Sequence, residues 1–140
     1  MKRNIMTLLI TVFAMLQATA QTYDNLWKQA DIIAQKDQPK SEIGVMKKII
    51  SKATVAKDYG QLLAAEIRQA ILWREISPDS LTPNVKRMET EALKAKDPVL
   101  KAVRYAVLGK VYREVNGKKS EEFFKKALEQ PELLARNAST

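Results

Sequence analysis

The chain has 140 residues, of which 46% are hydrophobic and 29% charged, and its formal net charge is +8 at pH 7. It contains no Cys and no His, which excludes disulfide bonds, thiolate metal sites and every mechanism that uses a Cys nucleophile or a His base. With few Gly and Pro, the composition is typical of one helical globular domain, and its positive charge favours an anionic partner.

Residues 1–20 have the three parts of a secretory signal peptide. Lys2 and Arg3 give the positive start, Ile5–Leu16 forms the apolar core, and Ala18-Thr19-Ala20 is the cleavage site. The alternative is a membrane anchor, but this apolar run is far shorter than the roughly 20 residues of a spanning helix. The sequence therefore predicts export to the periplasm or beyond the cell, with no stable membrane insertion and no lipid-modified Cys.

The remaining residues, 21–140, are predicted to form one all-α domain of about six helices. Apolar residues recur at helical spacing in six segments, and turn residues separate these segments. The predicted helices are Thr22–Lys36, Lys40–Asp58, Tyr59–Ile76, Asn84–Lys96, Val99–Val115 and Glu121–Glu129. No segment shows the alternation of a strand. The short turns predict antiparallel helical hairpins that stack in sequence order.

The predicted helix Tyr59–Ile76 is apolar on two faces, and only narrow polar seams separate them. One face carries Leu63, Ala64, Ile67, Ala70 and Ile71, and the other carries Leu62, Ala65, Leu72, Trp73 and Ile76. Glu66 lies in one seam, and Arg68 with Glu75 lies in the other. A helix that is apolar on both sides must be covered on both. We therefore expect a central helix, with Arg68 and Arg74 paired to the glutamates of these seams.

Local signals give the helix ends. Pro39 is expected to break the chain after the first helix, and Pro83 is expected to start the fourth after a Thr82 cap. Asn116-Gly117 predicts a left-handed turn after the fifth helix, and Ser120 is the predicted cap of the sixth. Beyond the sixth helix two alternatives stay open, a short closing helix or the front part of a longer protein.

The last predicted hairpin resembles a tetratricopeptide repeat. The matching positions are Tyr105, Leu108, Gly109 and Tyr112 in its first helix and Phe124, Ala127 and Pro131 in its second. The turn is one residue shorter than the consensus, and the earlier hairpins match poorly, so the resemblance covers about a fifth of the chain. It implies a tetratricopeptide-like stack.

Nearly the whole chain also resembles the helical N-terminal segment of large exported alpha-2-macroglobulin-like proteins of Bacteroidetes-type bacteria. The resemblance is carried by residues 23–53, by KDYGQLLAAEIRQAIL at 57–72 and by EFFKKALEQPELLA at 122–135. In that family such helices precede β-sandwich domains and a bait region that traps proteases. Here no sandwich domain follows and no Cys can form a thioester. The resemblance therefore implies the leading piece of an endopeptidase inhibitor, without any of the family's functional residues.

No pattern in the chain points to catalysis, to a cofactor or to a metal. Neither GxxxxGK nor GxGxxG occurs, and no SxxK supports a serine–lysine mechanism. We therefore predict no catalytic residue, no cofactor and no metal ligand. A cryptic hydrolase is the remote alternative.

Two residue sets are candidates for binding. Lys47, Lys48 and Lys52 lie on the outer side of the second predicted helix and form a candidate face for an anionic partner, the alternative being a solvated helix surface. Trp73, Tyr105 and Tyr112 are either core residues or anchors for a peptide in a groove of the stack. Export argues against nucleic acid.

The sequence therefore predicts an exported, non-catalytic helical scaffold that binds a protein or a peptide. By the resemblance above, its partner would be the following domains of the same polypeptide, in an alpha-2-macroglobulin-like inhibitor. The alternative is a free-standing periplasmic adaptor.

Overall fold

The computed structural model describes residues 21–137. These residues form seven α-helices and no strand. The helices are α1 (Tyr23–Gln35), α2 (Pro39–Ala56), α3 (Tyr59–Ile76), α4 (Pro78–Lys94), α5 (Pro98–Tyr112), α6 (Gly117–Ala127) and α7 (Pro131–Asn137). The predicted all-α fold of stacked hairpins is confirmed. The predicted signal peptide lies outside the described residues.

The helices pack mainly on their neighbours in sequence. α1 packs on α2, α2 on α3, and α3 on α4, while α5 fits against both α3 and α4. α6 packs on α5, and the short α7 packs on α5 as well. Each hairpin therefore covers the apolar side of the one before it, which is how helical-repeat stacks build a continuous core. No helix between residues 21 and 137 combines the length and the apolar character needed to cross a membrane.

α3 is the central helix of the stack, because α2, α4 and α5 all pack against it. Its buried apolar residues come mainly from one predicted face, with Leu62, Ala65, Leu72 and Trp73, whereas Ala70 is the one buried residue of the other predicted face. The central position of this helix is as predicted, but one of its two predicted faces is only partly covered. Only a narrow strip at helical spacing reaches the surface, and it carries Ala64 and Ile71, which were predicted to be buried.

Prolines begin helices in this chain more often than they end them. Four of the five lie at the first position of a helix, and these are Pro39, Pro78, Pro98 and Pro131. A first helical residue needs no backbone N–H, so Pro is well suited to it. The predicted start of the fourth helix at Pro83 is wrong, since α4 begins at Pro78 and Ser77 flanks both α3 and α4. Pro83 removes only one backbone hydrogen bond from the second turn of α4.

The turn before α6 differs from the prediction. Asn116 is extended, with a φ of −152°, and its side chain caps α6, so no left-handed turn forms there. Ser120 is therefore inside the helix rather than at its cap. Its buried hydroxyl donates a hydrogen bond of 2.7 Å to the Gly109 carbonyl of α5. The left-handed residues are instead Asp37 and Lys57, which follow α1 and α2.

The arginines of α3 pair with other helices rather than with α3 itself. Arg68 donates to Glu42 of α2 at 2.5 Å and to Asp31 of α1 at 3.1 Å. Arg74 pairs with Glu114 beyond the end of α5. The predicted pairing within α3 is wrong, because residues on one helix face point outward to the neighbouring helices and meet partners there.

Candidate docking surface

The three predicted lysines lie on the outer side of α2 and line one cleft. Lys47 and Lys48 are exposed, and Lys52 is half-buried. The cleft has a volume of about 790 Å³ and is lined by Gln21, Leu26, Lys47, Lys48, Ser51, Lys52, Val55 and Ala56. Leu26 is its buried apolar residue, Val55 and Ala56 are exposed apolar residues, and the lysines are basic, so the cleft offers both kinds of contact to a partner.

A second hollow adjoins this cleft on the side of α3 and α4. It has a volume of about 390 Å³ and is lined by Lys47, Ile50, Ser51, Gln69, Trp73, Asn84 and Arg87. Lys47 and Ser51 line both depressions, so the two lie side by side and share these two residues. We call the residues that line them together the basic strip. It runs from the start of α1 across α2 to α3 and α4.

The basic strip carries uncompensated positive charge. No acidic side chain of the described chain lines either depression. Within residues 21–137, Lys47 and Lys48 form no ion pair with any acidic group. Lys52 is partly engaged, since its Nζ donates a hydrogen bond of 2.7 Å to the Gln21 carbonyl and lies 5.3 Å from the Tyr23 ring. The cations that remain available to a partner are therefore Lys47 and Lys48.

Trp73 forms the apolar wall of the second hollow. Its side chain is 7% exposed and belongs to the main core cluster. Arg87 of α4 lies over the indole at 5.5 Å and pairs with Glu91 on its own helix at 2.8 Å. Because so little of it is exposed, Trp73 gives the hollow an apolar wall rather than a protruding anchor.

The two tyrosines named with Trp73 lie elsewhere. Tyr105 and Tyr112 stack on Phe123 of α6, with ring centroids 6.0 and 5.6 Å apart. The Tyr112 hydroxyl donates to Glu89 at 2.5 Å, and burial together with this bond raises the pKa of Tyr112. The structure thus brings Trp73 together with Lys47 but does not bring the three aromatic residues into one groove.

Among residues 21–137, Glu66 and Tyr59 have strongly perturbed pKa values, and neither residue lines the strip. Burial raises the pKa of Glu66 to about 7, and the nearby Arg104 guanidinium opposes that change. Glu66 lines none of the depressions described above. In the described part of the chain, no group of three or more acidic side chains is arranged to hold a metal ion.

No protein-family model, no curated protein and no solved structure matches this chain. The resemblances to tetratricopeptide repeats and to alpha-2-macroglobulin-like leaders therefore stay predictions. Sequence reasoning identified the lysines of the strip but missed Gln69, Asn84 and Arg87. No local signal marks these three, because they meet Lys47 only through the packing of α2 against α3 and of α3 against α4.

Proposed function

We propose that this protein is an exported, non-catalytic helical scaffold that docks another protein on its basic strip. The observation that carries the proposal is that Lys47 and Lys48 form no ion pair within the described chain and lie beside two adjacent depressions, which contain the apolar residues Leu26 and Trp73. A solvated helix face would normally intersperse charges of both signs, and these depressions have none of the negative sign. Apolar recesses rimmed by unpaired charge are typical of binding surfaces.

The packing beneath the strip suits a docking role. Ile49 and Trp73, which anchor α2 and α3 under the two depressions, belong to the main core cluster. Side chains fixed in a core lose little conformational freedom when a partner binds, so less of the binding free energy is offset. The surface is therefore preorganised for a partner, whereas no group near it is poised for covalent chemistry.

We further propose, from the resemblance described above, that the partner is part of an alpha-2-macroglobulin-like inhibitor. Phe124 of α6 and Leu128, which directly follows α6, support contact with a further protein element, because they are 36% and 58% exposed. Helical stacks usually cover such terminal apolar faces. Reading the genomic frame after Thr140 tests this proposal. A frame that continues into β-rich domains supports the inhibitor, and a stop codon there supports a free-standing adaptor.

Site-specific photo-crosslinking tests the docking role itself. A photoreactive phenylalanine analogue in place of Lys48 is expected to capture a defined exported protein, identified by mass spectrometry. The same analogue in place of Lys40 is the matched control, because Lys40 is exposed on the same helix but lines neither depression of the strip. Identical products from both positions would contradict docking on the strip.

A further inference from the structure

We infer that the segment that binds the basic strip is an acidic peptide whose apolar side chains flank at least one carboxylate. This inference rests on the proposed docking function and adds the chemistry of the partner. It follows from three properties of the strip, namely its charge, its recessed shape and the position of Lys47 between its two halves.

The charge of the strip selects an acidic partner. Lys47 and Lys48 form no ion pair within residues 21–137, and no carboxylate lines either depression. A partner carboxylate at this place gains a charge-assisted hydrogen bond without first displacing an internal ion pair. Arg87 differs, because Glu91 already neutralises it. The lysines therefore provide the main electrostatic attraction, and Ser51 adds a neutral hydroxyl at the same place.

The shape of the strip favours a peptide over a membrane surface. Each depression has one recessed apolar residue, since Leu26 is 2% exposed and Trp73 is 7% exposed. Side chains that project from a peptide can enter such recesses, whereas a bilayer is bound by apolar groups that project from the protein. Val55, which is 85% exposed, extends the apolar surface along one edge of the cleft.

The order of groups along the strip gives the order of groups in the partner. The cleft around Leu26 and Val55 lies on one side of Lys47, and the hollow walled by Trp73 lies on the other. One segment that spans both depressions must therefore place a carboxylate at Lys47 between two apolar side chains. An apolar–acidic–apolar pattern is the minimal motif that matches the surface.

Fluorescence anisotropy with a labelled synthetic peptide tests the inference on the protein purified from an expressing host. The probe carries Leu side chains on both sides of two Glu residues. Control peptides replace both Glu by Gln, or both Leu by Ala. We expect saturable binding of the probe, weaker binding of each control, and loss of affinity as salt screens the lysines.

Matched charge reversals locate the binding site. Lys47→Glu turns one attraction into a repulsion and is expected to weaken binding about tenfold. Lys40→Glu makes the same change in net charge on the same helix outside the strip, and it is expected to change the affinity less than about twofold. Circular dichroism on both variants checks that each is folded. If Lys47→Glu does not fold, Lys48→Gln serves as a milder substitution in the strip.

Three results would overturn the inference. The first is an equal loss of peptide affinity in Lys47→Glu and Lys40→Glu. The second is binding of the Gln control peptide as tight as that of the probe. The third is Lys47-dependent binding to anionic phosphatidylglycerol vesicles when the peptide does not bind. If Lys48 crosslinks a defined protein but the acidic peptide fails to bind, the docking function stands and only the partner chemistry is wrong. If neither occurs, both proposals fail.

Discussion

The buried carboxyl of Glu66 makes the stability of this protein depend on pH in an unusual direction. Glu66 is 7% exposed and lies where α3 faces α4 and α5. The Arg104 guanidinium of α5 is 3.8 Å away, and it donates instead to the Glu91 carbonyl of α4 at 3.2 Å. One Glu66 oxygen has no hydrogen-bond partner within the described chain. The ionised carboxylate is therefore desolvated without full compensation.

The sign of the effect follows from proton linkage. Burial raises the pKa of Glu66 from 4.5 to about 7, Arg104 and Arg87 oppose this rise, and Glu91 adds to it. The folded state thus holds the proton more tightly than the unfolded state. The contribution of protonated Glu66 to stability is therefore fully present below the pKa that Glu66 has in the unfolded chain, and it is lost as the pH rises through about 7. A change of this size corresponds to about 3 kcal/mol of unfolding free energy.

Urea unfolding followed by circular dichroism measures this effect. Between about pH 5 and pH 7, wild-type stability is expected to fall relative to that of Glu66→Gln, in which a neutral amide of similar shape replaces the carboxyl. Glu129→Gln is the control, because Glu129 is exposed on the surface, and it should follow the wild type. If Glu66→Gln keeps the wild-type pH dependence, the buried carboxyl is not its source and the reasoning is refuted.

Two further predictions concern packing and a hydrogen bond between helices. Gly109→Ala is expected to destabilise the protein by about 1–3 kcal/mol, because the added Cβ would lie 2.8 Å from the Phe124 ring. Gly44→Ala, whose Cβ meets nothing within 4 Å, should instead stabilise α2 by about 0.5–1 kcal/mol. If urea unfolding shows that both substitutions change the unfolding free energy in the same direction, this account is contradicted. Tyr59→Phe removes the 2.6 Å bond to Asp97 and should cost about 1 kcal/mol. Because burial and that bond raise the pKa of Tyr59 to about 12, absorbance titration of the wild type should include a phenol that ionises near pH 12, and the loss of this step in the variant is the check.

The sequence by itself determined the helices and their order, because apolar periodicity and turn residues are local signals. The pattern over residues 59–76 even indicated that this helix is central, and α2, α4 and α5 do pack against it. Local signals failed where one residue type occurs in two structural contexts. Pro83 lies inside α4 rather than at its start, and Asn116 caps α6 rather than forming a left-handed turn.

Only the tertiary structure determined which side chains of different helices come into contact. Arg68 meets Glu42 rather than a neighbour on α3, and Lys47 meets the wall formed by Trp73 and Asn84. These contacts depend on the axial shift and the rotation of each helix relative to the next, and apolar periodicity carries no information about either quantity. The helices can therefore be predicted from the sequence, whereas the ion pairs and the basic strip form only when the helices pack against one another.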